Sequence, residues 1–222
     1  MGQYVTDWKT NAMNEENMTP SQIDEELITV DRDLKIEKFA NTLEWYRAVI
    51  KSKSYQLEDD NLLGKGGFGI VYKIKEIKTN QIRALKVIDI NTDNKYRIIE
   101  FKNQIFSLRK NRHRNVIELV DYFMVPQKTF FLVLELATGG HLRERLNSIH
   151  NSTGQALPEE VAKQYFIEMT NALKYVHSNG IFNGDFKLDN VLITTDSTGK
   201  DVLKVTDFGS ARVAYKEGTG VI

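Results

Sequence analysis

Residues 64–69 place three glycines in the spacing Gly-x-Gly-x-x-Gly, and the residues after them constrain the fold more than any other part of the chain. In a dinucleotide-binding fold the third glycine opens a helix, but here Ile70-Val71-Tyr72-Lys73-Ile74 follows, a run with strong strand preference. The glycines therefore predict a hairpin between two strands, whose backbone N–H groups can approach phosphate oxygens closely. No Gly-Lys-Ser/Thr follows, which excludes a Walker-type phosphate loop.

From Tyr55 onward, apolar and β-branched stretches alternate with turn residues, which predicts a twisted antiparallel sheet. A helix interrupts the strands near residues 95–110. The predicted strands cover residues 55–64, 69–77, 82–89, 116–124 and 130–135.

After Gly139-Gly140 the sequence becomes mainly helical. Pro158-Glu159-Glu160 has the composition of a helix start and Asn179-Gly180 that of a helix end, so a long helix is predicted between them. Two short strands near 190–194 and 202–206 then flank a polar turn. This order of strands and helices predicts an α+β fold.

The chain before the sheet is predicted to have two parts, a flexible polar lead at 1–18 and an amphipathic helical extension at 19–54. Order is expected to begin near Thr19, where the sequence has the features of a helix start. Apolar residues recur at steps of three and four along the extension and form one stripe. The stripe either packs onto the following domain or docks a partner helix. Its members are Ile36, Phe39, Leu43, Tyr46 and Ile50.

Composition excludes several classes of function. The chain has 222 residues and 41% hydrophobic composition, with 30 Lys and Arg against 30 Asp and Glu, so no net charge attracts nucleic acid or a membrane. The absence of cysteine excludes disulfides, thiol catalysis and cysteine-bound zinc, and the four histidines are scattered. The basic run at 109–114 is interpreted as a solvated helix end, so no nucleic-acid partner is expected.

Location is addressed only by the first residues and by hydropathy. No signal sequence or membrane-spanning apolar run is present, which favours a cytoplasmic protein. The first six residues fit the Met-Gly-x-x-x-Thr pattern for myristoylation of Gly2. A single acyl chain binds membranes only weakly, so membrane association is expected only if Gly2 is modified.

Three further segments carry residues suited to phosphate and metal chemistry. Lys86 lies in the alternating run 84–87, which is predicted as a strand. Residues 183–190 read Asn-Gly-Asp-Phe-Lys-Leu-Asp-Asn, so an aspartate, a lysine and an asparagine share one loop. Asp207-Phe208-Gly209 then follows a predicted strand. Each segment alone is weak evidence, but the glycine hairpin and these three in this order are specific.

Together the four segments resemble those of the eukaryotic protein kinase family, over about residues 55–222. Residues 132–137 resemble the hinge that holds adenine, and residues 175–180 the helix end before the catalytic loop. The resemblance implies a kinase N-lobe at 55–137, with a five-stranded antiparallel sheet and one helix. It also implies a partial, mainly helical C-lobe at 138–222, and an enzyme that uses ATP and Mg²⁺ to phosphorylate a protein substrate.

The resemblance implies a role for each polar residue of the loops. Asp185 would orient the substrate hydroxyl and accept its proton, and Lys187 would lie near the γ-phosphate. Asn190 and Asp207 would bind Mg²⁺, since hard cations prefer oxygen ligands. A lysine at position 187, where tyrosine kinases usually carry alanine or arginine variants, points to serine or threonine substrates.

A nucleotide-binding set is implied in the same way. Lys86 would hold the α- and β-phosphates, and Leu134 would line the back of the pocket. Val71, Ala84 and Leu192 would enclose the adenine. The full implied set is Gly64, Lys65, Gly66, Gly67, Phe68, Gly69, Val71, Ala84, Lys86, Leu134, Glu135, Ala137 and Leu192.

The chain departs from the family pattern on the helix at 95–110. Counting back from His113-Arg114-Asn115-Val116, the position that normally carries the glutamate partner of Lys86 is Gln104. An amide cannot form that ion pair. Glu100 lies one turn earlier on the same helical face and is an alternative partner.

A second departure is Asn183-Gly184, where the family usually has His-Arg. Without the arginine, no cation pairs with a phosphorylated activation segment, so control by that route is not expected. The missing histidine removes one layer of an apolar stack that would also contain Leu108, Leu119 and Phe208. We therefore expect a looser active arrangement.

The third departure is that the sequence ends at Ile222, before the Ala-Pro-Glu segment of the family, so we expect a fragment or a truncated gene model. The helix at 158–178 would then expose apolar surface. Two functions remain open. The first is an ATP-dependent serine/threonine kinase, supported by Lys86, Asp185, Asn190 and Asp207. The second is a pseudokinase or nucleotide-binding interaction module, favoured by Gln104 and Asn183-Gly184.

Overall fold

The computed structural model describes residues 4–5, 40–57, 61–66, 69–89, 95–125, 129–213, 215–216 and 220–221, which fall into two compact units. The sheet unit contains the described residues between Glu16 and Ile98 together with Leu119–Leu136. The helical unit contains the short strand β1 (Tyr4–Val5), Ile99–Glu118 and the described residues from Ala137 onward. Apart from β1, the predicted lead and the predicted start at Thr19 lie outside the described residues.

An antiparallel sheet with one helix before it forms the sheet unit. The strand order is β2-β4-β5-β7-β6, and β3 pairs with β4 as well. The elements are α1 (Thr42–Ser52), β2 (Tyr55–Gln56), β3 (Leu62–Gly66), β4 (Gly69–Glu76), β5 (Ile82–Asp89), β6 (Leu119–Val125) and β7 (Thr129–Glu135). Helix α2 (Lys95–Lys110) begins in this unit and continues from Ile99 in the helical unit.

The predicted strands match this sheet except at two places. The prediction for 82–89 has the observed bounds of β5, and those for 69–77 and 130–135 differ from β4 and β7 by one residue. The single strand predicted at 55–64 is wrong, because two separate strands, β2 and β3, pair with different parts of β4. In the part of the chain that the structure describes, this sheet therefore has six strands and not the predicted five.

The strand predicted at 116–124 starts too early. Val116 forms a bridge with Val205, and the N–H of Ile117 donates to the Val205 oxygen at 2.9 Å. These two residues therefore add to a different strand pair, and β6 begins only at Leu119. Apolar character was the same on both sides of that boundary, so the sequence pattern could not locate it.

Helix α1 begins at the cap residue Asn41, whose side-chain oxygen accepts the N–H of Glu44 at 2.9 Å. Its buried face consists of Trp45, Tyr46, Val49 and Ile50, which belong to one apolar core with the sheet. The predicted stripe is right at Tyr46 and Ile50 but wrong at Leu43, which is 36% exposed. Its members Ile36 and Phe39 lie outside the described residues.

The two faces of the sheet have different surroundings. Residues opposite one another in an antiparallel pair point to the same face, and neighbours along a strand alternate. The core beneath α1 takes Leu85 and Val87 from β5 and Phe131 and Val133 from β7. Lys86 lies between two of these residues in sequence, so it points to the other face.

In the helical unit, two further helices, together with the part of α2 from Ile99 onward, accompany a small hairpin. Strands β9 and β10 pair antiparallel, from Val191↔Val205 to Thr195↔Asp201. One core holds Leu142, Tyr165, Val191, Ile193 and Leu203. The elements are α3 (Leu142–Thr153), α4 (Glu159–Ser178), β8 (Ile181–Phe182), a 3₁₀ turn (Leu188–Asn190), β9 (Val191–Thr195), β10 (Asp201–Val205), β11 (Arg212–Val213), β12 (Tyr215–Lys216) and β13 (Gly220–Val221).

Predictions for this unit hold in outline. Helix α4 follows Pro158 and is capped at Asn179, as predicted, and the strands predicted at 190–194 and 202–206 are each displaced by one residue. As expected, α4 exposes apolar side chains, including Phe166 at 67%. None of the helices built from the described residues is long and apolar enough to cross a membrane.

Candidate functional site

Asp185 lies in the loop between β8 and β9 and is held by two of its loop neighbours. The Nζ of Lys187 donates to the Asp185 carboxylate at 2.8 Å. The side-chain amide of Asn190 donates to the backbone oxygen of Asp185 at 2.8 Å and to its carboxylate at 2.9 Å. The hydrogen bond to Asp185 raises the pKa of Lys187, so this lysine stays protonated. The three predicted loop residues therefore form one charged cluster.

Asn183 joins this loop to the segment that carries Asp207. Its side chain is 2% exposed and uses both ends of its amide. The amide nitrogen donates to the backbone oxygen of Asp207 at 3.2 Å, and the amide oxygen accepts the N–H of Asp185 at 3.1 Å. Asn183 thus bonds both segments at the position where the family usually has histidine, and the looser active arrangement expected from that change stays a prediction.

The Asp207-Phe208-Gly209 segment is tightly packed. Phe208 is fully buried, and Asp207 adopts a left-handed φ of 58°, which is uncommon for a residue other than glycine. The N–H of Thr206 donates to the backbone oxygen of Asn190 at 2.9 Å. The structure therefore brings together the four predicted residues Asp185, Lys187, Asn190 and Asp207.

The donor atoms of Asn190 and Asp207 fit a magnesium ion. Because the Asn190 nitrogen is bonded to Asp185, the amide oxygen is the side-chain atom that could bind a metal ion. A carboxylate and an amide oxygen are donors that Mg²⁺ accepts, with its other positions filled by phosphate and water. Among the described residues, no group of three or more His, Cys, Asp or Glu side chains could hold a metal ion by itself.

The glycine hairpin is present in the sheet unit. Strands β3 and β4 pair from Leu62↔Tyr72 to Gly66↔Gly69. Gly69 has a φ of 124°, and a Cβ there would lie 2.2 Å from the Val87 oxygen, so no other residue fits. Lys65 is exposed on the hairpin, and the predicted members Gly67 and Phe68 lie outside the described residues.

The predicted adenine and phosphate residues of the sheet share one face. Val71 is opposite Lys86, and Lys86 is opposite Leu132. Two residues away on the same strands, Ala84 is opposite Leu134, which places both on that face. Ala84 and Leu134 are buried, whereas Val71 and Lys86 are half-buried. Glu135 is the last residue of β7.

Leu192 and Ala137 are placed by the helical unit. The segment after Ala137 runs beside β9, because Gly139 N–H donates to the Ile193 oxygen at 2.7 Å and Ile193 N–H to the Gly140 oxygen at 2.9 Å. A Cβ on Gly139 would lie 2.8 Å from the Ile193 oxygen, so this close approach requires glycine. Leu192 is half-buried beside this contact.

Helix α2 carries an amide where a glutamate was expected. Gln104 is 2% exposed and lies in a buried stretch with Phe101, Ile105 and Leu108. Glu100, the predicted alternative, lies against Gly209, since a Cβ on that glycine would be 3.6 Å from the Glu100 Cβ. Glu100 is therefore next to the Asp207 segment within the helical unit.

Sequence reasoning missed a basic contact to the loop. Arg143 on α3 donates from Nε to both carboxylate oxygens of Asp189 at 2.8 Å. This guanidinium bond lowers the pKa of Asp189. The two residues are separated by 46 positions, so no local pattern in the sequence could have paired them.

Several known proteins share sequence with most of this chain. A family model described as "Protein kinase domain" matches residues 57–220. "CBL-interacting serine/threonine-protein kinase 16" of Arabidopsis thaliana is 37% identical over 161 residues, covering 72% of this chain and 32% of that protein. "Probable serine/threonine-protein kinase fhkD" of Dictyostelium discoideum is 33% identical over 166 residues, covering 73% of this chain and 21% of that protein. The chain thus spans only 32% and 21% of these relatives.

Proposed function

This chain belongs to the protein kinase family, and on that premise we propose that it transfers the γ-phosphate of ATP to serine or threonine hydroxyl groups of proteins. The observation that carries this proposal is the cluster in which Lys187 and Asn190 hold the carboxylate of Asp185. The curated relatives named above are serine/threonine kinases by name, which supports the choice of hydroxyl.

Asp185 acts on the substrate hydroxyl in this proposal. Phosphoryl transfer requires mainly positioning and neutralisation of charge, with little covalent chemistry by the protein. The carboxylate orients the hydroxyl and accepts its proton as the new oxygen–phosphorus bond forms, while the bond between the γ-phosphorus and the bridging oxygen breaks and ADP leaves. Protonated Lys187, bonded to the same carboxylate, places a positive charge where the γ-phosphate develops negative charge.

Asn190 and Asp207 hold the magnesium ion in this proposal, through the amide oxygen and the carboxylate. The ion supplies charge neutralisation on the phosphates of ATP. The hydrogen bonds from Asn190 to Asp185 fix the distance between the metal-binding group and the proton acceptor. Those bonds are the reason why a single loop can serve both purposes.

Within the sheet unit, we assign ATP binding to Lys86, to the glycine hairpin and to the apolar residues on the face of the sheet that carries Lys86. The hairpin backbone offers N–H groups to phosphate oxygens, and Lys86 offers a cation. Val71, Ala84 and Leu134 give that face the apolar character that an adenine ring requires. Glu135, the last residue of β7, contributes backbone groups.

Thermal unfolding in the presence of ATP and Mg²⁺ tests nucleotide binding. At ATP concentrations about 100-fold above the Kd, binding stabilises the folded chain by about 2.7 kcal/mol. We expect this stabilisation in the unaltered chain and its loss in Asp207→Ala. The matched control is Asp189→Ala, which removes a carboxylate that bonds Arg143. No stabilisation of the unaltered chain would contradict the proposal.

Transfer of labelled phosphate to casein tests catalysis. Asp185→Ala should reduce the rate roughly hundredfold or more while leaving ATP-dependent stabilisation in place. Phosphoamino-acid analysis of the product should give phosphoserine or phosphothreonine. Transfer that survives Asp185→Ala would remove Asp185 from the mechanism, and phosphotyrosine alone would refute the substrate class.

A second candidate function is nucleotide binding without phosphate transfer. The observation in its favour is Gln104, a buried amide at the helix position where a glutamate was expected. In that case ATP and Mg²⁺ stabilise the chain, and no phosphate reaches casein. The two measurements above therefore separate the two functions.

A further inference from the structure

We propose that Asn183 and Gly184 form a positioning pair, which holds the backbone of Asp185, and with it the proton acceptor, at a fixed place relative to the backbone of Asp207. The inference rests on the proposed function, because it assigns to the pair the alignment of the proton acceptor with the metal-binding aspartate. Neither residue touches substrate or metal in this proposal, and both act through their neighbours.

Asn183 makes the connection with a single short side chain. One end of its amide accepts from Asp185 N–H and the other donates to Asp207 O, at 3.1 and 3.2 Å. The residue is only 2% exposed, so water does not replace either bond at low cost. Twenty-four residues separate Asn183 from Asp207, so this side chain links two distant segments.

Gly184 permits the two segments to approach each other. Its φ is 78°, and a Cβ at this position would lie 2.3 Å from the backbone oxygen of Ser210. Contacts this short do not occur, and the obstacle is backbone rather than a movable side chain. Any side chain at position 184 must therefore push the segment after Asp207 away from the loop. Because the Asn183 side chain is short, it can bond both Asp185 and Asp207 only if the two segments are not pushed apart.

A second link closes the arrangement on the other side of Asp185. Thr206 N–H donates to Asn190 O, and the Asn190 amide donates to Asp185. The loop and the Asp207 segment are thus joined at two places, from Asn183 to Asp207 and from Asn190 to Thr206, on the two sides of Asp185 in the loop. Two links fix an orientation that one link would leave free to rotate.

Three substitutions separate the parts of the pair. Asn183→Ala removes both bonds. Asn183→Asp keeps the size and the acceptor for Asp185 N–H but cannot donate to Asp207. Gly184→Ala keeps both bonding groups and introduces the collision with Ser210. The matched control is Phe182→Leu, which alters an exposed neighbour that the pair does not use.

The dependence of casein phosphorylation on Mg²⁺ is the first readout. In Asn183→Asp, the Mg²⁺ concentration for half-maximal transfer should rise and kcat should fall about tenfold, the size expected from losing one buried hydrogen bond. The KM for casein should stay unchanged, and Phe182→Leu should behave like the unaltered chain. A variant that merely unfolds more easily would lose active protein without changing its Mg²⁺ dependence, and that result would overturn the proposal.

Hydrogen exchange supplies a readout that needs no activity. The Asp185 amide should exchange slowly in the unaltered chain and in Asn183→Asp, and about tenfold faster in Asn183→Ala. Equal exchange in all three would refute the pair, even if the chain is an active kinase. Faster exchange in Asn183→Ala, together with an unaltered chain that transfers no phosphate, would support the bond and refute the proposed function instead.

Discussion

The side-chain amide of Asn190 donates two hydrogen bonds to the same residue, one to the backbone oxygen of Asp185 at 2.8 Å and one to its carboxylate at 2.9 Å. The amide thereby fixes both the backbone and the side chain of the residue assigned as proton acceptor. Its remaining oxygen is the atom assigned to Mg²⁺. One side chain thus connects the two halves of the proposed chemistry.

Replacing Asn190 should therefore damage catalysis in two ways. Asn190→Leu, which has nearly the same shape, removes both hydrogen bonds and the metal ligand. Phosphate transfer to casein should fall roughly hundredfold or more, and the Mg²⁺ requirement should increase. Asn190→Asp restores an oxygen ligand without the donor, so it should recover part of the Mg²⁺ response and little of the rate. Equal activity in all three proteins would contradict the role given to Asn190.

The glycines of the hairpin should differ sharply in their tolerance of substitution. Gly69→Ala places a Cβ 2.2 Å from the Val87 oxygen at a φ of 124°, which should destabilise the fold by roughly 2–4 kcal/mol. Gly64→Ala meets no atom within 4 Å and serves as the control, with an expected change below about 1 kcal/mol. Chemical denaturation of the two variants measures the difference. Similar losses would show that the hairpin does not require the Gly69 backbone conformation.

Helix α1 should be part of the folded sheet unit and not a detachable extension. Trp45 is 1% exposed and packs on Phe131, with ring centroids 6.4 Å apart. Trp45→Ala should lower the free energy of unfolding by about 3–5 kcal/mol, because it leaves a large cavity. Leu43→Ala, on the exposed side of the same helix, should change it by less than about 1 kcal/mol. If both variants unfold at the same denaturant concentration, the packing of α1 on the sheet is not energetically important.

Stability of the helical unit should fall in mild acid because of His113. Burial, and next the nearby charge of Lys204, lower the pKa of this histidine, whose Nδ1 accepts the N–H of Asn115 at 3.0 Å. The unfolded chain therefore binds a proton more readily than the folded chain. The stability that neutral His113 contributes is fully present above the ordinary histidine pKa of about 6.5. It is lost as the pH falls below that value toward the lower pKa of the folded state.

Measurements of the unfolding free energy between pH 7.5 and pH 5 test whether the chain becomes less stable as the pH falls. His113→Phe keeps a ring against Tyr175, whose ring lies 4.8 Å away, but cannot titrate, so its stability should decline less with acid. Lys204→Gln removes the positive charge that is the second cause of the lowered His113 pKa, so it should reduce the loss of stability in acid in part. An identical pH profile for His113→Phe and the unaltered chain would show that His113 is not responsible.

Patterns along the chain predicted β5 and α4 well, because polar turn residues lie on both sides of the apolar run of β5, and apolar positions repeat at a helical step along α4. The same patterns failed where tertiary contacts decide. Val116 and Ile117 look like the start of β6, yet they bond Val205. Leu43 lies on the predicted stripe of α1 but is exposed, whereas Trp45 and Val49 lie off the stripe and are buried. The spacing of apolar residues identifies an amphipathic helix but does not specify exactly which side of the helix is buried.

The sequence by itself determined the residue types and order that identify the family, from the glycine hairpin through Lys86 to Asp185, Asn190 and Asp207. It also showed that positions 183 and 184 differ from the family pattern, from which a looser active arrangement is predicted. Only the tertiary structure decided that Asn183 bonds both Asp185 and Asp207, and that Gly184 lies where no side chain fits. The physical reason is that these contacts join segments far apart in the chain, and such distances are set by packing and not by local residue preference.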